Sequence, residues 1–113
     1  MAITYSNFFA PTVLGIAAAT LFTVPTTPTT TLLRGGRVRM TNTTGVAQTV
    51  TLYAVPSAGA AGVGNAFLSA KSIAGNDYLD VDVPIMPAGA FMQGLASLAA
   101  SITIQPLAGS YFS

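Results

Sequence analysis

Short runs of alternating apolar and polar side chains constrain the fold of this chain more than any other feature of its sequence. The stretch RMTNTTGVAQTVTLYAV, residues 39–55, alternates on both sides of an Asn-Thr-Thr-Gly turn. A period of two is typical of a strand with one buried face, and asparagine and glycine are typical of the turn between two such strands. The stretch therefore predicts an antiparallel hairpin, with Val38 and Met40 facing the core and Arg37 and Arg39 facing outward.

Similar short runs follow along the chain, separated by proline, glycine and asparagine. Further strands are predicted at residues 19–24, 66–74, 77–83, 90–96 and 101–107. Strands at intervals of about 8 to 12 residues, without a helical period, indicate an all-β fold. We expect a single β-sandwich or jelly-roll-like domain of about seven or eight short antiparallel strands. Its glycine-rich segment at residues 56–65 is predicted to be a surface loop.

The first 17 residues differ from the rest of the chain. Tyr5, Phe8 and Phe9 lie there without a clean strand or helix period. We expect residues 1–17 to form an N-terminal segment or arm, either a strand along the sandwich or an arm on a neighbouring subunit. Residues 18–113 are then the β-sandwich domain, and a chain of 113 residues has the usual size of one domain.

The low charge of the chain indicates a surface that other subunits cover. Charged residues make up 6% of the sequence, against about 25% in an average soluble domain. A lone small domain stays soluble by exposing mixed charge, so a neutral surface predicts contacts with identical or different subunits. The net charge of +1 argues against nucleic acid as a partner. The apolar runs are also too short to span a membrane, and no basic segment of a secretory signal is present.

Few residues of the chain have catalytic chemistry. Histidine, cysteine and glutamate are absent, and the acids are Asp77, Asp80 and Asp82. General acid and base catalysis needs a histidine or a tuned carboxylate pair. We therefore expect no enzyme activity, no cofactor and no catalytic or metal-binding residues. A calcium site built from the three aspartates is the alternative, because Ca²⁺ binds oxygen ligands.

Two pairs of charged residues have matching spacing. Arg37 and Arg39 lie two residues apart, as do Asp80 and Asp82. Alternate residues of a strand share one face, so the two pairs are complementary ladders. They are predicted to pair within one sheet, to pair between subunits and fix their register, or to be solvated separately.

Two outward tyrosines leave a carbohydrate-binding module as another hypothesis. The alternation places both Tyr53 and Tyr78 on outer faces. Their rings would then form the platform on which a sugar stacks.

The chain resembles a group of small virion proteins in tailed bacteriophages. The resemblance lies in an alanine-rich start before Phe-Thr-Val-Pro, the Asn-Thr-Thr-Gly turn, Val-Pro followed by a glycine and alanine loop, and a Pro-Ala-Gly turn. It covers residues 17–104, with Met86 at the start of the last turn. Proteins of this kind are β-sandwich structural components of the capsid, as decoration or cement proteins, or of the tail.

The resemblance implies a capsid decoration protein that is made in the host cytoplasm and resides in the virion. We expect a homotrimer that binds the major capsid protein, or other virion proteins, through its N-terminal aromatic segment. A tail, baseplate or adhesion-apparatus component is the alternative. The predicted subunit or shell contacts are Tyr5, Phe8, Phe9, Arg37, Arg39, Asp80 and Asp82.

Overall fold

A computed structural model of the chain is almost entirely β structure. It describes residues 3–4, 9–26 and 31–112. Its strands are β1 (Ile3–Thr4), β2 (Thr12–Val13), β3 (Ala19–Thr23), β4 (Leu32–Asn42), β5 (Gln48–Val55), β6 (Ala66–Ile73), β7 (Tyr78–Asp82), β8 (Met86–Pro87), β9 (Phe91–Ala96) and β10 (Ile102–Phe112). A single turn of 3₁₀ helix, Val63–Asn65, precedes β6. In the described part of the chain, no helix is long and apolar enough to cross a membrane.

The strands form two antiparallel sheets. The six-stranded sheet has the order β1-β10-β4-β7, with β2 also paired to β10 and β8 to β4. The four-stranded sheet has the order β3-β9-β5-β6. The predicted all-β fold is therefore confirmed, whereas the jelly-roll connectivity stays a prediction. Three of the ten strands in the described residues have only two residues. Two of them, β1 and β2, lie in the segment for which a strand along the sandwich was one of the two expectations, and β8 was not predicted.

Both sheets contribute their inner faces to one hydrophobic core. Val38 and Met40 of β4 are fully buried, and so are Val50 and Leu52 of β5. These four residues belong to the same cluster as Met92 of β9 and Ile104 of β10. The predicted inward and outward faces of β4 are thus confirmed, because side-chain alternation fixes which face of a strand is buried.

The predicted hairpin between β4 and β5 was wrong. The strand β4 pairs with β10 and β7, whereas β5 pairs with β9 and β6 in the other sheet. Residues 43–47 therefore carry the chain from one sheet to the other. Alternation specifies the buried face but not the hydrogen-bonded partner, and packing the inner faces of the two strands against each other buries both.

The described part of the N-terminal segment lies on the sheets. Both β1 and β2 pair with β10, and Leu14 is buried in the core. Phe9 is also buried, with its ring stacked on Phe22 at a centroid distance of 5.6 Å. Phe9 is therefore a core residue of the monomer, and its ring is not displayed to a partner. Tyr5 and Phe8 lie outside the described residues, and the domain boundary after residue 17 stays a prediction.

Four connections meet at one end of the molecule. They are residues 14–18, 43–47, 74–77 and 97–101. Their position follows from the antiparallel registers, which place the end of β4 beside the start of β10 and the end of β6 beside the start of β5. We call this group of four connections the Asn42 end.

Candidate functional site

The predicted arginine and aspartate ladders pair within one sheet. Arg39 lies opposite Asp80, and Arg37 lies opposite Asp82. The Nε and Nη2 atoms of Arg39 donate hydrogen bonds of 2.8 and 3.0 Å to the two carboxylate oxygens of Asp80. The Arg39 guanidinium also lies 4.3 Å from the centroid of the Tyr78 ring, a cation–π contact.

The hydrogen-bonded pair of Arg39 and Asp80 changes the pKa of both side chains. The hydrogen bonds from Arg39 lower the pKa of Asp80 below its ordinary value. The same hydrogen bonds raise the pKa of Arg39, which is therefore charged at any ordinary pH. The bidentate geometry fixes β7 on β4 in one register.

The second pair is looser. Arg37 Nε lies 3.9 Å from an Asp82 carboxylate oxygen, and the Asp82 side chain is 92% exposed. Exposed ion pairs contribute little to stability. The use of these four side chains as contacts between subunits stays a prediction.

The structure gives the calcium alternative no support. Arg39 occupies both carboxylate oxygens of Asp80, while Asp77 Oδ1 accepts a hydrogen bond of 2.8 Å from the backbone N–H of Tyr78. Within residues 3–4, 9–26 and 31–112, no three acidic, histidine or cysteine side chains are grouped so that they could hold a metal ion.

The predicted sugar-binding platform of Tyr53 and Tyr78 does not exist in the structure. Tyr53 lies on β5 of the four-stranded sheet, and Tyr78 lies on β7 of the six-stranded sheet. Outer faces of two sheets that share a core point in opposite directions. The two rings therefore cannot stack on one sugar.

The Asn42 side chain is buried at the Asn42 end, where it hydrogen bonds to the surrounding loops. Its Nδ2 donates hydrogen bonds to the carbonyls of Val46 (2.8 Å) and Ile73 (3.0 Å). Its Oδ1 accepts hydrogen bonds from the backbone N–H of Thr44 (2.9 Å) and from the Thr44 hydroxyl (2.7 Å). All four hydrogen-bonding positions of the side chain are thus used in a site with no solvent exposure. The sequence identified Asn42 only as a turn residue.

Backbone hydrogen bonds connect the four loops of the Asn42 end to one another. Thr43 donates to the Ser101 carbonyl at 2.9 Å, and Asn76 donates to the Thr44 carbonyl at 2.8 Å. Ala100 donates to the carbonyl of Leu14 at 3.3 Å. Each of these bonds joins two different connections, so the four loops hold one another in place.

Large apolar side chains project from this hydrogen-bonded framework. Ile16 is 67% exposed, Val46 is 68% exposed and Leu98 is 49% exposed. They come from three of the four loops, and Asp77 is the one charged residue of the Asn42 end in the described chain. A cleft of about 320 Å³ lies beside this end, lined by residues 10–15, residues 19–21 and Gly94. Its lining residues are uncharged. The Asn42 end is therefore an apolar surface on a fixed backbone, a feature that marks interaction sites.

Comparison with protein-family models, with curated proteins and with solved structures found no significant match to this chain.

Proposed function

We propose that this chain is a structural subunit of a tailed-phage virion, a capsid decoration or cement protein that binds the major capsid protein. The observation that carries the proposal is the Asn42 end, where Ile16, Val46 and Leu98 are exposed on loops that hydrogen bonds hold together. Exposed apolar side chains that are grouped at one end of a molecule mark protein contacts, and 6% charged residues leave few side chains to solvate such a surface.

The fixed backbone of the Asn42 end suits a permanent contact. Binding by a mobile loop loses conformational entropy, whereas a loop that is already ordered avoids most of this cost. The fully hydrogen-bonded Asn42 side chain supports the ordering of residues 43–46. A small protein that adds an ordered apolar contact at many equivalent positions would stabilise a shell.

The proposed location of the protein rests on the resemblance to phage virion proteins. The protein is made in the host cytoplasm and becomes part of the virion, as a homotrimer. The shell contact is assigned here to the Asn42 end, because Phe9 is buried and Tyr5 and Phe8 lie outside the described residues. A tail or baseplate component would need the same apolar contact, and the experiment below separates the two locations.

The test is co-sedimentation of purified protein with undecorated heads, and separately with tails, of the phage that encodes it. We expect saturable binding to heads. Val46→Lys places a charge in the contact and weakens binding by about tenfold or more. The matched control is Val63→Lys, because Val63 is 96% exposed in the connection between β5 and β6, away from the Asn42 end.

Binding to heads that Val46→Lys and Val63→Lys weaken equally would refute the role of the Asn42 end. Binding to tails alone would move the protein to the tail. Binding to neither particle would overturn the proposed function.

A further inference from the structure

Most charged residues of this chain lie on one sheet. All seven charged residues lie in the described part of the chain. Five belong to β4 or β7 of the six-stranded sheet, and Asp77 directly precedes β7. The exception is Lys71, on the edge strand β6 in register with the inward-facing Val50. Since cross-strand neighbours point to the same side of a sheet, Lys71 does not belong to the outer face of the four-stranded sheet.

That outer face is uncharged, and we call it the neutral face. Its outward side chains on β5 and β9 are Thr49, Thr51, Tyr53, Phe91, Gln93 and Leu95. All six are half-buried, and the apolar members lie outside the core cluster. The neutral face therefore combines three large apolar side chains with neutral polar ones.

Two polar side chains of the neutral face, Gln93 and Thr51, already have partners within the protein. Gln93 Nε2 donates to the Thr20 hydroxyl at 3.1 Å, and the Thr51 hydroxyl oxygen accepts from the backbone N–H of Ala70 at 3.0 Å. At the margin of the face, the Ser97 hydroxyl donates to Gln48 Oε1 at 2.6 Å. Removing a polar group from water costs little when its hydrogen bond is made within the protein. These groups can thus be covered without loss of their hydrogen bonds.

The size of the neutral face fits a protein interface. From strand rise and spacing, the eight residues of β5 span roughly 26 Å and the four strands roughly 19 Å. This gives a projected area on the order of 500 Å². The accessible area of a side-chain surface exceeds its projection, so the face approaches the roughly 800 Å² that each partner buries in a standard interface.

We infer that the neutral face packs against a second copy of this chain. The inference deepens the proposed function and rests on its oligomer. An uncharged sheet face can pack against another such face, as in sheets that stack about 10 Å apart. Packing through this face leaves Arg37, Arg39, Asp80 and Asp82 in water, where no charge has to be desolvated.

Two symmetries bury the same face. In a two-fold pair the neutral face meets itself. In the predicted trimer, the neutral face of each copy would meet the flank of the next copy. The measured mass distinguishes these symmetries, and substitutions on the face test the inference itself.

The experiment is multi-angle light scattering of the purified full chain over a hundredfold range of concentration. We expect an oligomer for the wild-type protein. Leu95→Lys places a charge on the neutral face and weakens self-association by about 100-fold. The matched control is Thr103→Lys, because Thr103 is also half-buried but faces outward near the start of β10, in the other sheet.

Circular dichroism confirms that each variant is folded. If Leu95→Lys is unfolded, the light-scattering experiment uses Gln93→Glu in its place. This substitution nearly preserves the side-chain shape and places a charge on the same face. An oligomer that the neutral-face variant dissociates and Thr103→Lys preserves supports the inference. A wild-type protein that stays monomeric at the highest concentration overturns it, and so does an oligomer on which both variants have equal effects.

The two proposals fail separately. A monomeric protein that still sediments with heads would overturn the inference about the neutral face, and the homotrimer with it, but would leave the proposed binding to the shell standing. An oligomer that Leu95→Lys dissociates, but that sediments with neither heads nor tails, would do the reverse.

Discussion

Replacing Asn42 by alanine should destabilise the whole protein. The substitution removes four hydrogen bonds, two to the carbonyls of Val46 and Ile73 and two from Thr44. At about 1 kcal/mol for each net bond, the expected loss in unfolding free energy is about 3 to 4 kcal/mol. This is a large share of the roughly 5 to 15 kcal/mol that stabilises a typical domain, and it lowers the Tm by about 10 to 20 °C.

The assay is urea denaturation, with thermal unfolding as a second measurement. The matched control is Asn65→Ala, because the Asn65 side chain also makes two hydrogen bonds, to Gly62 and Ala60, and both bonds are exposed to solvent. We expect the control to lose less than about 1 kcal/mol, since water replaces exposed hydrogen bonds. Equal losses for the two variants would refute the reasoning that the buried network of Asn42 holds the loops together.

A third variant tests the direction of the Asn42 hydrogen bonds. Asn42→Asp keeps an acceptor for the two Thr44 donors but aims a carboxylate oxygen at the carbonyls of Val46 and Ile73. These carbonyls and the burial of the site raise the pKa of the new carboxyl group. Its deficit in stability relative to the wild-type protein should therefore shrink as the pH falls. A deficit that does not change with pH would mean that the amide nitrogen is not required there.

Three further outcomes follow from the structure. Gly75→Ala should lower the free energy of unfolding by about 1 to 3 kcal/mol in urea denaturation, because a Cβ at this position would lie 2.4 Å from the Gly45 carbonyl. Gly45→Ala should lower it much less, because its Cβ meets open space, and equal losses would contradict this reasoning. The lowered pKa of Asp80 gives stability that is present above about pH 4 and lost as the pH falls through that pKa, so Asp80→Asn should lose less stability on acidification than the wild-type protein. Burial raises the pKa of Tyr111, so its contribution is present below about pH 10 and lost at higher pH, and Tyr111→Phe should reduce alkaline unfolding; an unchanged profile would contradict that assignment.

The faces of the strands could be predicted because they depend on local alternation. Val38 and Met40 are buried as their spacing requires, and Arg39 meets Asp80 because both ladders share the period of two. The strand partners could not be predicted in the same way. Pairing depends on contacts between distant residues, and β4 and β5 belong to different sheets although they are adjacent in the chain.

The two candidate surfaces were harder to predict for the same reason. The burial of Asn42 depends on its contact with Ile73, which is 31 residues away in the chain. Predicting which sheet face is charged and which is neutral requires the strand order. Arg39 and Tyr53 both point outward, and only the assignment of their strands to different sheets places them on different faces. Low charge predicted that a surface is covered, but only the topology identifies the neutral face and the Asn42 end as candidates.

A cryo-electron microscopy map of decorated heads would test the central claim most directly. The protein measures 44 × 27 × 17 Å, so its two ends are distinguishable in such a map. The proposed function requires residues 14–18, 43–47 and 97–101 to lie against the shell, with the charged residues of β4 and β7 in solvent. A map in which the Asn42 end points away from the shell would contradict it.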